Sequence, residues 1–135
     1  MAVHRFSPAN MLEPAPYDHV AVATGTRHIH VAGQVAYRPD GAQTPDNLRD
    51  QAAQALRNTA TGLASVGATF DDVVRLTIYV TDWQTGKINE LMEGIYSVAQ
   101  EVGLPTPMPP SSLIGVEMLF DAQTLIEIEA TAILD

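Results

Sequence analysis

The run Leu125-Ile-Glu-Ile-Glu-Ala-Thr-Ala132 alternates apolar and acidic residues. A strand sends successive side chains to opposite faces, so Ile126, Ile128, Ala130 and Ala132 share one face while Glu127 and Glu129 share the other. Val73 to Val80 repeats the pattern, with Val74, Leu76, Ile78 and Val80 set against Arg75, Thr77 and Tyr79. This β-branched, aromatic run is the predicted central strand. Two segments change period. Leu48, Ala52, Leu56, Thr59, Leu63 and Val66 recur at spacings of three and four, as do Ile88, Leu91, Met92, Ile95, Ala99 and Val102. Each is the stripe of a helix buried on one side. Thr44-Pro45-Asp46 is the predicted start of the first helix and Gly67 its C-cap, while Gly103 and Pro105 end the second.

Shorter runs complete the order. Ala2 to Phe6 reads as an edge strand, and His19 to Thr24 and His28 to Gly33 read as a hairpin about Gly25-Thr26. Gly33-Gln34 marks a bulge or a close backbone approach. Arg38-Pro-Asp-Gly41 is a turn, and a Pro-rich entry from Pro105 feeds two strand-like runs, the second of them the Leu125–Ala132 alternation. The order β, ββ, α, β, α, ββ, without repeat or linker, predicts a single domain over residues 1–135. Its expected class is α+β, two-layered, a mixed β-sheet with both helices packed on one face. The other face would carry His28, His30, Arg75, Thr77, Tyr79, Glu117, Glu127 and Glu129. Such a face is either solvated or the meeting ground of several copies.

Composition narrows the function classes. The chain has 135 residues, 46% hydrophobic and 17% charged, enough for one core without disulfide or metal. No cysteine occurs, and no apolar run approaches a membrane span or an export signal, so a soluble, cytoplasmic protein is expected. Seven basic residues, scattered singly, against sixteen acidic give a formal charge of −9. That balance opposes nucleic-acid binding, which leans on clustered Lys and Arg, and favours a small-molecule ligand.

Candidate chemistry is sparse at the level of single motifs. His28 and His30 share a strand face, but zinc usually takes three protein ligands, and no metal or cofactor is expected. Glu127 and Glu129 lie about 7 Å apart at strand rise, a spacing at which carboxylates can divide acid and base roles. No Ser-His-Asp order, phosphate loop or zinc signature is present.

Several pieces in fixed order resemble the RidA/YjgF family. They are Pro14-Ala-Pro-Tyr17, Val31-Ala-Gly-Gln34, Gln51 with Leu56-Arg-Asn58, Asp72-Val-Val-Arg-Leu-Thr-Ile-Tyr-Val-Thr-Asp82, Asn89 and Glu127-Ile-Glu-Ala-Thr-Ala132. The resemblance implies a chorismate-mutase-like fold and a homotrimer with small-molecule clefts between subunits, and no membrane or nucleic-acid partner. In active members these clefts hydrolyse imines and enamines. Carried over by position, Glu127 would be catalytic, and Tyr17, Ala32, Gly33, Asn89, Ser111 and Leu113 would line the substrate. Two positions depart from the family pattern: Ala32 replaces a serine, and Ser111 replaces the arginine that holds the substrate carboxylate. An arginine offers two charge-assisted bonds of roughly 1.5–3 kcal/mol each where serine offers one neutral bond. The loss would cost ordinary 2-imino acids a factor of hundreds or more, at about tenfold per 1.4 kcal/mol.

Three functions follow in order of preference. The first is a deaminase-like hydrolase of C=N or enamine bonds in compounds other than ordinary 2-imino acids. The second is a metabolite-binding or accessory trimer without turnover. An endoribonuclease comes last, given the charge. Arg75 and Lys87 are the candidates to replace the missing cation.

Overall fold

Ile126, Ile128, Ala130 and Ala132 are all buried on one face of the last strand, and the rest of the molecule is arranged around them. The computed structural model describes residues 2–135. Its strands are β1 (Val3–Phe6), β2 (Val20–Ala23), β3 (Arg27–Gln34), β4 (Val73–Thr81), β5 (Ser111–Val116) and β6 (Ile126–Leu134). Its helices are α1 (Leu48–Ala64) and α2 (Ile88–Val102). The main sheet runs β3-β6-β4-β5, antiparallel except for the parallel β4–β5 pair, so β6 and β4 are the inner strands. This is the expected mixed-sheet α+β architecture.

The helices cover one face. Leu48, Ala52, Leu56, Leu63, Leu91, Ile95 and Val98 meet Leu76, Ile78, Val80, Ile126 and Ile128 in one core, each large aliphatic side chain contributing roughly 1.5–3 kcal/mol by leaving water. Gly94 permits the closest approach of the two helices, because a side chain there would overlap the Arg49 carbonyl. Gly103 caps α2 as expected, with a left-handed φ of 74°. Gly67 is also left-handed, φ 79°, but it is not the cap expected of it, because α1 already ends at Ala64 with Ser65 as its C-cap.

Further expectations are corrected. β2 does not form a hairpin with β3: it pairs antiparallel with β1 as a separate ribbon, Val3 opposite Ala23 and Phe6 opposite Val20, while β3 takes β6 as its partner. Gly25 in the link packs against the Leu134 carbonyl at the end of β6, where a side chain would not fit. α1 starts at Leu48 rather than near Thr44, because Asn47 caps it, its Oδ1 accepting from the Asp50 N–H at 2.8 Å. Val66 lies past the helix end and is 44% exposed. Val73, not Val74, enters the core, since Val73 pairs with Ala132 and Arg75 with Thr131, which leaves Val74 as the extra residue of a bulge. Glu117 falls beyond β5 and is exposed, out of the polar face assigned to it.

The amides of α1 fasten the loops. Buried Gln51 donates to the Pro45 and Gln123 carbonyls at 2.7 and 2.8 Å, and its Oε1 accepts from the Leu125 N–H at 2.8 Å. Asn58 donates to the carbonyls of Val35 and Tyr37. No helix among the described residues is long and apolar enough to cross a membrane.

Candidate functional site

The polar face of the sheet positions Glu127. It stands opposite Tyr79 in the β4–β6 ladder, pointing away from buried Ile126 and Ile128. On the other side β3 bulges between Val31 and Gln34, the irregularity predicted at Gly33. The bulge brings Gly33 so close that a side chain there would overlap the Glu127 carboxylate. Gly33 and Glu127 are thus brought together, and Ala32, exposed beside them, lines a polar groove of about 390 Å³ with His30, Arg75, Thr77 and Glu129.

Tyr79 ties the two glutamates into one electrostatic unit. Its hydroxyl donates to Glu129 Oε1 at 2.7 Å. That bond, then burial, then the charges of Glu129 and Glu127 hold the phenol above its ordinary pKa, while Arg75 pulls the other way. Tyr79 is a residue that sequence reasoning placed on this face without assigning it a role. Its position opposite Glu127 depends on cross-strand register, which no local pattern encodes.

Tyr17, Ser111 and Leu113 gather elsewhere, in a groove of about 450 Å³ between α2 and β5. Tyr17 belongs to a loop, yet its place is fixed by backbone bonds: Asp18 N–H donates to the Met108 carbonyl and Met108 N–H to the Pro16 carbonyl, both at 2.9 Å. Its ring also meets His19 edge-on at 5.2 Å between centroids. Ser111 pairs with Leu76 and Leu113 with Ile78, both core residues, so the two project to the helix side of the sheet. The Ser111 hydroxyl donates to the Pro109 carbonyl at 2.7 Å.

Within one chain, therefore, Glu127 with Gly33 and Tyr17 with Ser111 occupy opposite faces of the sheet. Asn89 joins neither group. It is exposed on α2 beside Met92 and Tyr96, because the buried stripe runs through Leu91, Ile95 and Val98 and leaves Asn89 off the inner face expected for it.

The cations have partners of their own. Lys87 donates to the Asp82 carbonyl at 2.7 Å and lies 3.7 Å from its carboxylate. Arg5, Arg38, Arg49 and Arg57 each face an acidic side chain, and Arg27 donates to the Asp135 carbonyl. Arg75 bonds to the Ser112 hydroxyl. It is the basic side chain that reaches the polar groove. Among the described residues no three His, Cys, Asp or Glu side chains converge as metal ligands.

The family model described as Endoribonuclease L-PSP matches residues 9–134. RutC family protein YjgH of Escherichia coli is 34% identical over 91 residues, 67% of this chain and 65% of that one. The rat 2-iminobutanoate/2-iminopropanoate deaminase is 30% identical over 102 residues, 69% of this chain and 72% of that one. The crystal structure of YyfB, a Rid-family protein of Yersinia pestis, superposes with a TM-score of 0.85 at 32% identity, covering 99% of this chain and 100% of that one.

Proposed function

We propose, from the premise that the chain belongs to the Endoribonuclease L-PSP family, also called RidA/YjgF, that it hydrolyses an imine or enamine with Glu127 as the catalytic carboxylate. The observation that carries this reading is the Gly33–Glu127 contact: the bulge spends a glycine to seat one carboxylate at a defined place on a polar face. In the reaction Glu127 takes a proton from water as the water oxygen bonds to the C=N carbon, and passes that proton to the nitrogen. From the resulting carbinolamine Glu127 takes the hydroxyl proton and delivers it to the nitrogen as the C–N bond breaks, which forms the carbonyl, releases ammonia and returns the carboxylate to its starting state. The rat relative's name, a deaminase of 2-iminobutanoate and 2-iminopropanoate, supports this class.

The working form is a homotrimer. A site holding both Glu127 and the Tyr17 groove needs two copies, since one chain keeps them on opposite faces of its sheet. Replacing Glu127 with Gln tests the chemistry: turnover should fall at least about 100-fold, the scale of a lost general base. Unchanged turnover removes the glutamate from the mechanism.

A second reading, a metabolite-binding trimer without turnover, draws on Ser111, whose hydroxyl is committed to its own Pro109 carbonyl. Saturable ligand binding with no hydrolysis of any imine offered would select it. Endoribonuclease activity is the weakest reading. The chain carries a charge of −9, and six of its seven basic side chains are bound to acidic groups or backbone carbonyls.

A further inference from the structure

We infer, building on the hydrolase reading, that the groove between α2 and β5 selects imines and enamines bearing no carboxylate at the reacting carbon. Its walls are apolar: Ile88, Leu91, Met92 and Ile95 from the helix, Met108 from the loop and Leu113 from the strand. The polar side chains that reach it are Tyr17 and Ser111, since the Ser112 hydroxyl is turned to Arg75 on the other face, and among the described residues no Lys, Arg or His lines it. Its volume, about 450 Å³, lies within the range of small-molecule sites.

The two cations that could reach in from neighbouring positions are turned elsewhere. Lys87, one residue before Ile88, is held by Asp82. Arg75 lies on the polar face that a second copy would present to this groove, and there its guanidinium is bound to the Ser112 hydroxyl of its own chain. A carboxylate entering among these walls would shed its hydration without gaining a charged partner. Ser111 sharpens the preference. Its proton is given to the Pro109 carbonyl, so toward a ligand it presents oxygen lone pairs, which repel a carboxylate and accept an N–H. An uncharged or protonated C=NH group on an apolar body fits these groups, and a 2-imino acid does not.

The test uses a matched pair of stable ketones that mimic the two substrate classes, phenylacetone and phenylpyruvate, titrated against the full chain by ligand-observed NMR. Phenylacetone should bind the wild type at least about tenfold tighter, the factor that 1.4 kcal/mol supplies. In Ser111→Arg the order should reverse. Equal or tighter phenylpyruvate binding to the wild type overturns the inference, as does the lack of saturable phenylacetone binding. The imines matching the two ketones, generated in situ by an amine oxidase and an amino-acid oxidase, separate this inference from the hydrolase reading. A phenylacetone preference without hydrolysis of either imine keeps the selectivity and removes the catalysis. Hydrolysis of the imino acid alone keeps the catalysis and removes the selectivity.

Discussion

The Tyr79 hydroxyl donates to Glu129 Oε1 at 2.7 Å from across the β4–β6 ladder. A phenol that gives its proton to a carboxylate resists losing it, and here the neighbouring Glu127 charge adds to that resistance. The folded chain thus holds the Tyr79 proton above the ordinary tyrosine pKa of about 10. The sign follows: this contribution to stability is complete below the unfolded pKa and is lost as pH rises through the folded one. In an alkaline absorbance titration, Glu129→Gln should bring one phenol down toward its ordinary range, and Tyr79→Phe should delete that phenol from the curve. An unchanged titration in Glu129→Gln would remove Glu129 as the cause.

Gly33→Ala tests the seat of Glu127. The added methyl meets the far part of a flexible side chain, and Gly33 has no positive φ to strain. The carboxylate should swing aside with the fold retained. A displacement of about 1 Å can cost on the order of 100-fold in rate. The expected outcome is near-wild-type urea unfolding with turnover reduced at least about tenfold. Full turnover would show that the contact is incidental.

Gly94→Ala decides between two opposed effects. Alanine raises helix propensity by about 1 kcal/mol, but its methyl would overlap the Arg49 backbone carbonyl, which cannot rotate away. Separating two packed helices costs roughly 1–3 kcal/mol, so net destabilisation is expected. Chemical denaturation measures it, and a gain in stability would show that the helix pair parts easily.

Gln51→Leu keeps the volume and removes three hydrogen bonds. It strands the Pro45 and Gln123 carbonyls and the Leu125 N–H. Orphaned buried groups cost about 1–3 kcal/mol each, and water can reach part of this loop. A loss of about 2–4 kcal/mol is expected on that basis, with faster hydrogen exchange at Leu125 as the local signature.

The parts of this molecule that were legible in its sequence are those with a local period. The Ile126–Ala132 alternation, the middle of the Leu56 and Ile95 stripes and the Gly103 stop read correctly because each is set by neighbours a few residues away, whereas the stripe ends Val66 and Ile88 are exposed and α1 is capped by Ser65 rather than Gly67. The errors have a different origin. The short link between β2 and β3 suggests a hairpin, yet β3 pairs along its length with the longer β6, and β2 pairs with β1. At Val74 a bulge shifts the phase of the alternation without marking the sequence, so the strand period puts it in the core that Val73 enters. The candidate site divides the same way. Gly33 signalled a close approach, but that the approach is to Glu127 depended on a register between distant strands. Tyr17 beside Ser111 likewise depends on a backbone pairing across the chain.

That last pairing sets an order of events. Two backbone bonds, Asp18 N–H to the Met108 carbonyl and Met108 N–H to the Pro16 carbonyl, join segments far apart in the sequence, so a long loop is closed there by few contacts. The Tyr17 wall is therefore expected to open before the sheet does. Mild heat or low denaturant should empty the groove of ligand while the helix signal is still native, so that ligand release is the first event of unfolding.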